Sequence, residues 1–223
     1  MKIPRFFEGL TQKEYLLARK SLELSVGYFN DDEILVDEGK RTNTFWLVVS
    51  GALQGARCYP DGSRDLVQLY TAGDAVCLDV VCTRSRRSLL QISSIGMSEV
   101  IAIDYDALVA YAPPNTRVRP SKTVHMKIMD NIVRTLADDS IRKQYKVDVL
   151  YKRHLRARIE TFFQHMREKT GNMAFDIGMD REQFAQYLGV NRSALSHELS
   201  MMREEGMIEF KKGHFEILES PRA

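Results

Sequence analysis

The sequence predicts an α+β protein: an N-terminal antiparallel β-roll of the jelly-roll kind, one long helix, and a C-terminal winged helix-turn-helix. Three observations carry this reading. From Asn30 to Gly96, regular turn signals separate short runs rich in Val, Leu, Ile and aromatics. Ser121 to Leu150 contains neither Gly nor Pro. Asp180 to Ile208 reads as two short helices about a Gly189-Val190 turn.

The elements follow in order. Thr11 and Glu14 form a capping box, and Tyr15, Leu16, Leu22 and Leu24 suggest a short opening helix over Thr11–Leu24. Turn signals then fall at Asn30-Asp-Asp32, Glu38-Gly39, Ser50-Gly51, Pro60-Asp-Gly62, Ala72-Gly-Asp74 and Gly96. The clearest hairpin pairs Leu53–Tyr59 with Arg64–Tyr70 around Pro60-Asp61-Gly62-Ser63. Pro113-Pro114 and Pro120 punctuate the exit from the roll. On the long helix Val124, Ile128, Ile132 and Leu136 step by four, with Met129 and Val133 widening the stripe and Lys127, Asp130, Arg134 and Asp138 off it. Part of that stripe covers the roll, and the rest suits a second copy of the helix. Leu155, Ile159, Phe162 and Phe163 mark a further helix. The expected divisions are residues 1–119 for the β-roll, 120–150 for a dimerisation helix and 151–223 for the winged helix-turn-helix.

The helix-turn-helix is the segment that speaks to chemistry. Asp180 and Gln183 cap the first helix, whose inner face is Phe184, Ala185, Tyr187 and Leu188. Asn191 caps the second, Leu195, Leu199 and Met202 turn inward, and Gly206 ends it. The opposite stripe, Arg192, Ser193, Ser196, His197 and Ser200, is polar and concentrated in the first turns, where a recognition helix meets base edges. A helical hairpin packed into a core would not need such a stripe. Ile208–Phe210 and Phe215–Leu218 flank Lys211-Lys-Gly-His214, a hairpin with a basic tip that makes the wing.

Composition bounds the alternatives. With 223 residues the chain can bury two modest cores, and its formal charge of +2 is not that of a nonspecific polycation. From Arg142 onward there are 15 Lys and Arg against 12 Asp and Glu, and before it 17 against 18, so the weak excess of positive charge sits with the helix-turn-helix. No membrane-length apolar run and no secretion signal is read, and Cys58, Cys77 and Cys82 form no disulfide framework; a cytoplasmic protein is expected. A metal-dependent barrel enzyme would need histidines inside the roll, yet the first histidine is His125. No catalytic and no metal-ligating residues are assigned, and no particular cofactor is assigned.

This order of parts resembles the Crp/Fnr superfamily of bacterial transcription regulators. The resemblance spans nearly the whole chain and rests on Gly189-Val-Asn-Arg-Ser-Ala-Leu-Ser-His197, Glu205-Gly-Met-Ile208, and the roll pattern Ser50-Gly51, Asp61-Gly62, Ala72-Gly73-Asp74. It implies a homodimer on a pseudo-palindromic operator in double-stranded DNA, controlled by a small effector held in a cyclic-nucleotide-binding-like roll, with RNA polymerase a further candidate partner. Arg181, Asn191, Arg192, Ser193, Ser196, His197, Lys211 and Lys212 become the expected DNA-contacting residues. Cys77, Leu78, Asp79, Arg84, Arg86, Arg87 and Ser88, with Asp139 and Ser140 of the long helix, become the expected effector residues.

The chain departs from the family in two places. The usual glutamate after the Arg192 position is Ser193 and the usual arginine at the His197 position is a histidine, so the preferred bases should differ from the family half-site. In the phosphate-binding segment the usual Gly-Glu is Cys77-Leu78, while Arg87-Ser88 survives. Leu78 cannot accept from a ribose hydroxyl, and on a strand Asp79 would face the other way, so cyclic AMP and cyclic GMP are expected to bind weakly or not at all. Two rival readings stand beside this one: a constitutive DNA binder whose roll is only a scaffold, and a barrel enzyme with an appended interaction domain.

Overall fold

A computed structural model describes residues 3–110 and 121–218. Pro113, Pro114 and Pro120 lie outside the described residues. The chain forms two compact units, Met1–Asp138 and Asp139–Ala223. Among the described residues no helix is long and apolar enough to cross a membrane.

The first unit opens with helix α1 (Gln12–Ser21), and both hydrogen bonds of the Thr11/Glu14 capping box are made. The helix ends earlier than the apolar pattern suggests, leaving Leu22 and Leu24 beyond it. Strands β1 (Ser25–Phe29), β2 (Ile34–Val36), β3 (Thr44–Cys58), β4 (Arg64–Thr71), β5 (Ala75–Val76) and β6 (Gln91–Asp104) form one antiparallel sheet in the order β1-β6-β3-β4, with β2 on β6 and β5 on β3. The anticipated hairpin is present, pairing Leu53 with Tyr70 and Cys58 with Arg64.

Two turn signals prove to be something else. Ser50-Gly51 and Gly96 do not end strands: they lie inside the 15-residue β3 and the 14-residue β6, where the register shifts on either side of Ser50. Gly51 (φ +78°) and Gly96 (φ +64°) supply left-handed residues, which a bulge needs as much as a turn does. At Gly51 the backbones also crowd: an added Cβ would lie 2.4 Å from the Met97 carbonyl oxygen and 2.8 Å from the Ser98 Cα.

Residues 78–82 are likewise a short helix, α2 (Leu78–Cys82), entered through Cys77 in the left-handed conformation, and not the strand assumed from sequence. The reason is local: Asp79 Oδ1 accepts from the Val80 amide, and the Val81 amide donates to the Cys77 carbonyl. A further short helix, α3 (Tyr105–Val109), follows β6 and is capped by Asp104.

Two apolar clusters hold this unit. Val36, Val48, Leu53, Tyr70, Val76, Ile92 and Val100 fill the inside of the roll. Phe6, Phe7, Tyr15, Phe45, Leu47 and Ile103 meet Val124, Ile128 and Ile132 of the long helix α4 (Lys122–Tyr151). The predicted inner stripe of that helix therefore covers the roll, helped by the Lys127–Glu14 ion pair at 3.1 Å and by the Asn131 amide donating to the carbonyls of Phe6 and Glu8.

In the second unit helices α5 (Leu155–Thr170), α6 (Arg181–Tyr187) and α7 (Arg192–Glu204) surround a cluster led by Phe162, Phe163, Phe184, Leu195, Leu199 and Phe215. Strands β8 (Ile208–Lys211) and β9 (His214–Ile217) form the wing hairpin. Strand β7 (Ala174–Asp176), not read from sequence, adds to β9 and completes the order β7-β9-β8.

Candidate nucleic-acid interface

The recognition segment is set by local chemistry. The Asp180 carboxylate accepts from the Gln183 amide at 2.8 Å while the Gln183 side chain accepts from the Asp180 amide at 2.9 Å, fixing the start of α6. Gly189 (φ +68°) turns the chain, and the Arg158 guanidinium donates to the Leu188 carbonyl at 2.8 Å, satisfying the end of α6. Asn191 Oδ1 accepts from the Ala194 amide and from the Ser193 hydroxyl, both at 2.8 Å, to start α7.

Leu195, Leu199 and Met202 are buried, so α7 presents its other side: Arg192, Ser193 and His197 are exposed and Ser196 half-buried. These residues are brought onto one helix end, and Asn191 joins them, but its oxygen and the Ser193 proton are already used in the cap. Asn191 retains its amide donors and Ser193 only its acceptor capacity. Lys211 and Lys212 stand exposed at the wing tip, where Lys212 takes φ +56° beside Gly213.

Arg181 is half-buried, its guanidinium carbon 5.0 Å from the Phe210 ring centre and 5.6 Å from that of Phe215. Burial first, and then Arg192 nearby, pull it below the ordinary arginine value. Sequence reasoning missed Arg203, which lies 5.0 Å from the Phe210 ring. It also missed Arg156 of α5, whose Nε meets Glu198 at 2.6 Å and whose two terminal nitrogens meet Glu205 at 2.6 and 2.8 Å. That fork ties α5 to α7, and the Arg156 guanidinium holds Glu205 below the usual carboxylate range. No sequence signal marks a bidentate pair across some fifty residues.

The expected effector residues divide. Cys77, Leu78 and Ser88 are buried, while Asp79, Arg84 and Arg87 are exposed. Burial pushes the Cys77 thiol up to about 12, so it stays protonated and behaves as a small apolar group. Ser88 spends its proton on the Leu90 carbonyl at 2.6 Å. Arg86 is not available to an anion: it forms a two-pronged pair with Asp106, both contacts at 2.7 Å, and also donates to Asn43. The Arg87 guanidinium donates to the Gly39 carbonyl, and its backbone pairs with that of Arg41, a second exposed arginine that the sequence did not single out. Asp139 pairs along α4 with Lys143 at 2.9 Å and Arg142 at 3.7 Å, and Ser140 is exposed.

Residues 157–222 match the Crp-like helix-turn-helix domain family. The C-terminal part of the chain thus carries a Crp-like helix-turn-helix domain. It is 21% identical over 192 residues to electron transport regulator A of Shewanella oneidensis, covering 84% of this chain and 72% of that protein. In structure it is similar to FixK2 from Bradyrhizobium japonicum, with TM-score 0.60, 16% identity and coverage of 90% of this chain and 99% of that one. It is also similar to CLP, a c-di-GMP responsive global regulator of Xanthomonas campestris, with TM-score 0.65, 13% identity and coverage of 94% and 100%. The anticipated fold class, an antiparallel sheet, a long helix and a helix-turn-helix, agrees with these likenesses, and the C-terminal match agrees with the anticipated Crp/Fnr resemblance.

Proposed function

We propose that the chain is a sequence-specific, homodimeric transcription regulator of the Crp/Fnr type, not an enzyme, working on DNA in the cytoplasm under control of a small effector in the roll. The observation that carries the DNA reading is the α7 helix, apolar on its core side and polar at its exposed N-terminal end, beside a basic wing. Arg192 takes the base-reading role, since its fork suits guanine O6 and N7, while Arg181, Lys211 and Lys212 take phosphates. Exposed Met126, Val133 and Val147 support a helix-to-helix dimer. Together with Ser140 they step by seven along α4, and they are 61%, 62% and 64% exposed.

Arg192→Ala should cost about 1–3 kcal/mol on a selected operator and relax preference at one base pair. Replacing Lys211 and Lys212 with Ala should instead weaken all duplexes alike and reduce the salt dependence by up to about two counterions' worth per protomer. Equilibrium binding across a salt series checks both, and equal salt slopes with unchanged specificity would refute the assignment.

The effector in this reading is not a standard cyclic mononucleotide. Buried Leu78 offers no acceptor, Asp79 is turned to the surface on α2, and Arg86 is neutralised by Asp106. A different anion, or an apolar molecule bearing a carboxylate, fits the remaining Arg84 and Arg87. That CLP, of the same fold, is named c-di-GMP responsive supports a departure from cyclic mononucleotides in this fold. Calorimetric titration with cyclic AMP and cyclic GMP should give no micromolar binding, and micromolar affinity coupled to tighter operator binding overturns this.

A further inference from the structure

Phe210, near the end of wing strand β8, gathers two guanidiniums, those of Arg181 and Arg203, each 5.0 Å from its ring centre. Among the described residues neither arginine forms an ion pair, in contrast to Arg156, which is saturated by Glu198 and Glu205. Two like charges repel when drawn to one ring, and the ring faces offset only part of that. A bound anion would remove the conflict.

The helix geometry says where that anion lies. Arg203 follows Arg192 by eleven residues, just over three full turns, so it returns to nearly the same side of α7 about 16 Å further along. Arg192, Ser196 and Arg203 thus run down the flank of the recognition helix that meets the wing, and stacking on Phe210 brings Arg181 from α6 to that flank. Glu204 and Glu209 are exposed neighbours, so the flank is not uniformly basic and depends on where these two guanidiniums are held. An aromatic face fixes a planar guanidinium without consuming its donors, leaving its edge free for phosphate oxygens.

We propose that Phe210 is a positioning residue for contact with the DNA backbone, its ring holding Arg181 and Arg203 as a preset pair that engages phosphates beside the bases read by Arg192. This rests on the DNA-binding reading above and adds Arg203 and Phe210 to it. The pair recognises backbone phosphate and is indifferent to sequence.

The test uses the full chain and an operator selected by it from random duplexes, with affinities measured across a salt series on that operator and on a scrambled duplex. Arg203→Ala should weaken both duplexes alike and lower the salt slope by about one per protomer, about two for the dimer. Phe210→Leu, which keeps an apolar side chain but removes the aromatic face, should weaken both about 3- to 10-fold and lower the slope by up to about two per protomer, with the operator preference kept. Arg203→Lys should recover slope but not full affinity. Wild-type slopes in both Phe210→Leu and Arg203→Ala, or a loss confined to the operator, would overturn the proposal. If Phe210→Leu melts early, exposed Arg203 still decides through Arg203→Ala. A wild-type chain without operator preference, or one whose preference survives Arg192→Ala, would instead refute the underlying DNA reading.

Discussion

Phe184→Ala is expected to destabilise the second unit by about 3–5 kcal/mol, enough to abolish DNA binding by unfolding the helix-turn-helix. Phe184 is fully buried on α6, with Phe162 at 4.9 Å, Phe215 at 5.9 Å and Phe163 at 6.3 Å between ring centres. These rings come from α5, α6 and β9, so the cavity left by alanine opens where three elements meet and none can collapse into it alone. Urea unfolding followed by circular dichroism should show the helical signal of this unit lost at lower denaturant. The only tryptophan, Trp46, lies on β3 of the other unit, and its fluorescence transition should stay in place. A shift below 1 kcal/mol, or an equal shift of both signals, would contradict this packing.

Gly51→Ala should damage the first unit comparably. The left-handed conformation at φ +78° costs a Cβ-bearing residue about 1–2 kcal/mol, and forcing that atom against the Met97 and Ser98 backbone adds about 1–3 kcal/mol. The Ser98 hydroxyl, which donates to the Ala52 carbonyl and accepts from the Ala52 amide, lies 2.5 Å from the same Cβ and would have to move. The total, about 2–5 kcal/mol, should appear as an early Trp46 transition. Gly96 makes the contrast, because a Cβ there meets nothing within 4 Å, so Gly96→Ala should carry only the conformational part. Equal effects at the two glycines would rule out backbone crowding as the cause at Gly51.

The helix-turn-helix was legible because its determinants are local: two N-caps, a turning glycine and an apolar period lie within thirty residues. Leu195, Leu199 and Met202, expected inside, are buried. The β-roll was legible as a class but not in its strand lengths, since a glycine at positive φ serves a bulge as well as a turn and only the partner strand decides which. At the candidate effector site Arg86 read as a free cation because Asp106, which neutralises it, comes from another element twenty residues on. Arg203 went unnoticed for the opposite reason: nothing within α7 distinguishes it, and its meaning comes from a ring on the wing.

The two bulged strands also set the order in which the molecule can assemble. Pairing Thr44 with Asp104 closes a loop of about sixty residues, and even the near end of the two strands, Ala56 with Gln91, is about 35 residues apart. The wing hairpin, by contrast, joins Lys211 to His214, and α7 follows α6 with only a short turn between. Speed falls as contacts become less local, so the roll, although synthesised first, condenses slowly, while the DNA-binding half is quick. On refolding from denaturant, where both units start together, the second unit is therefore expected to fold ahead of the first.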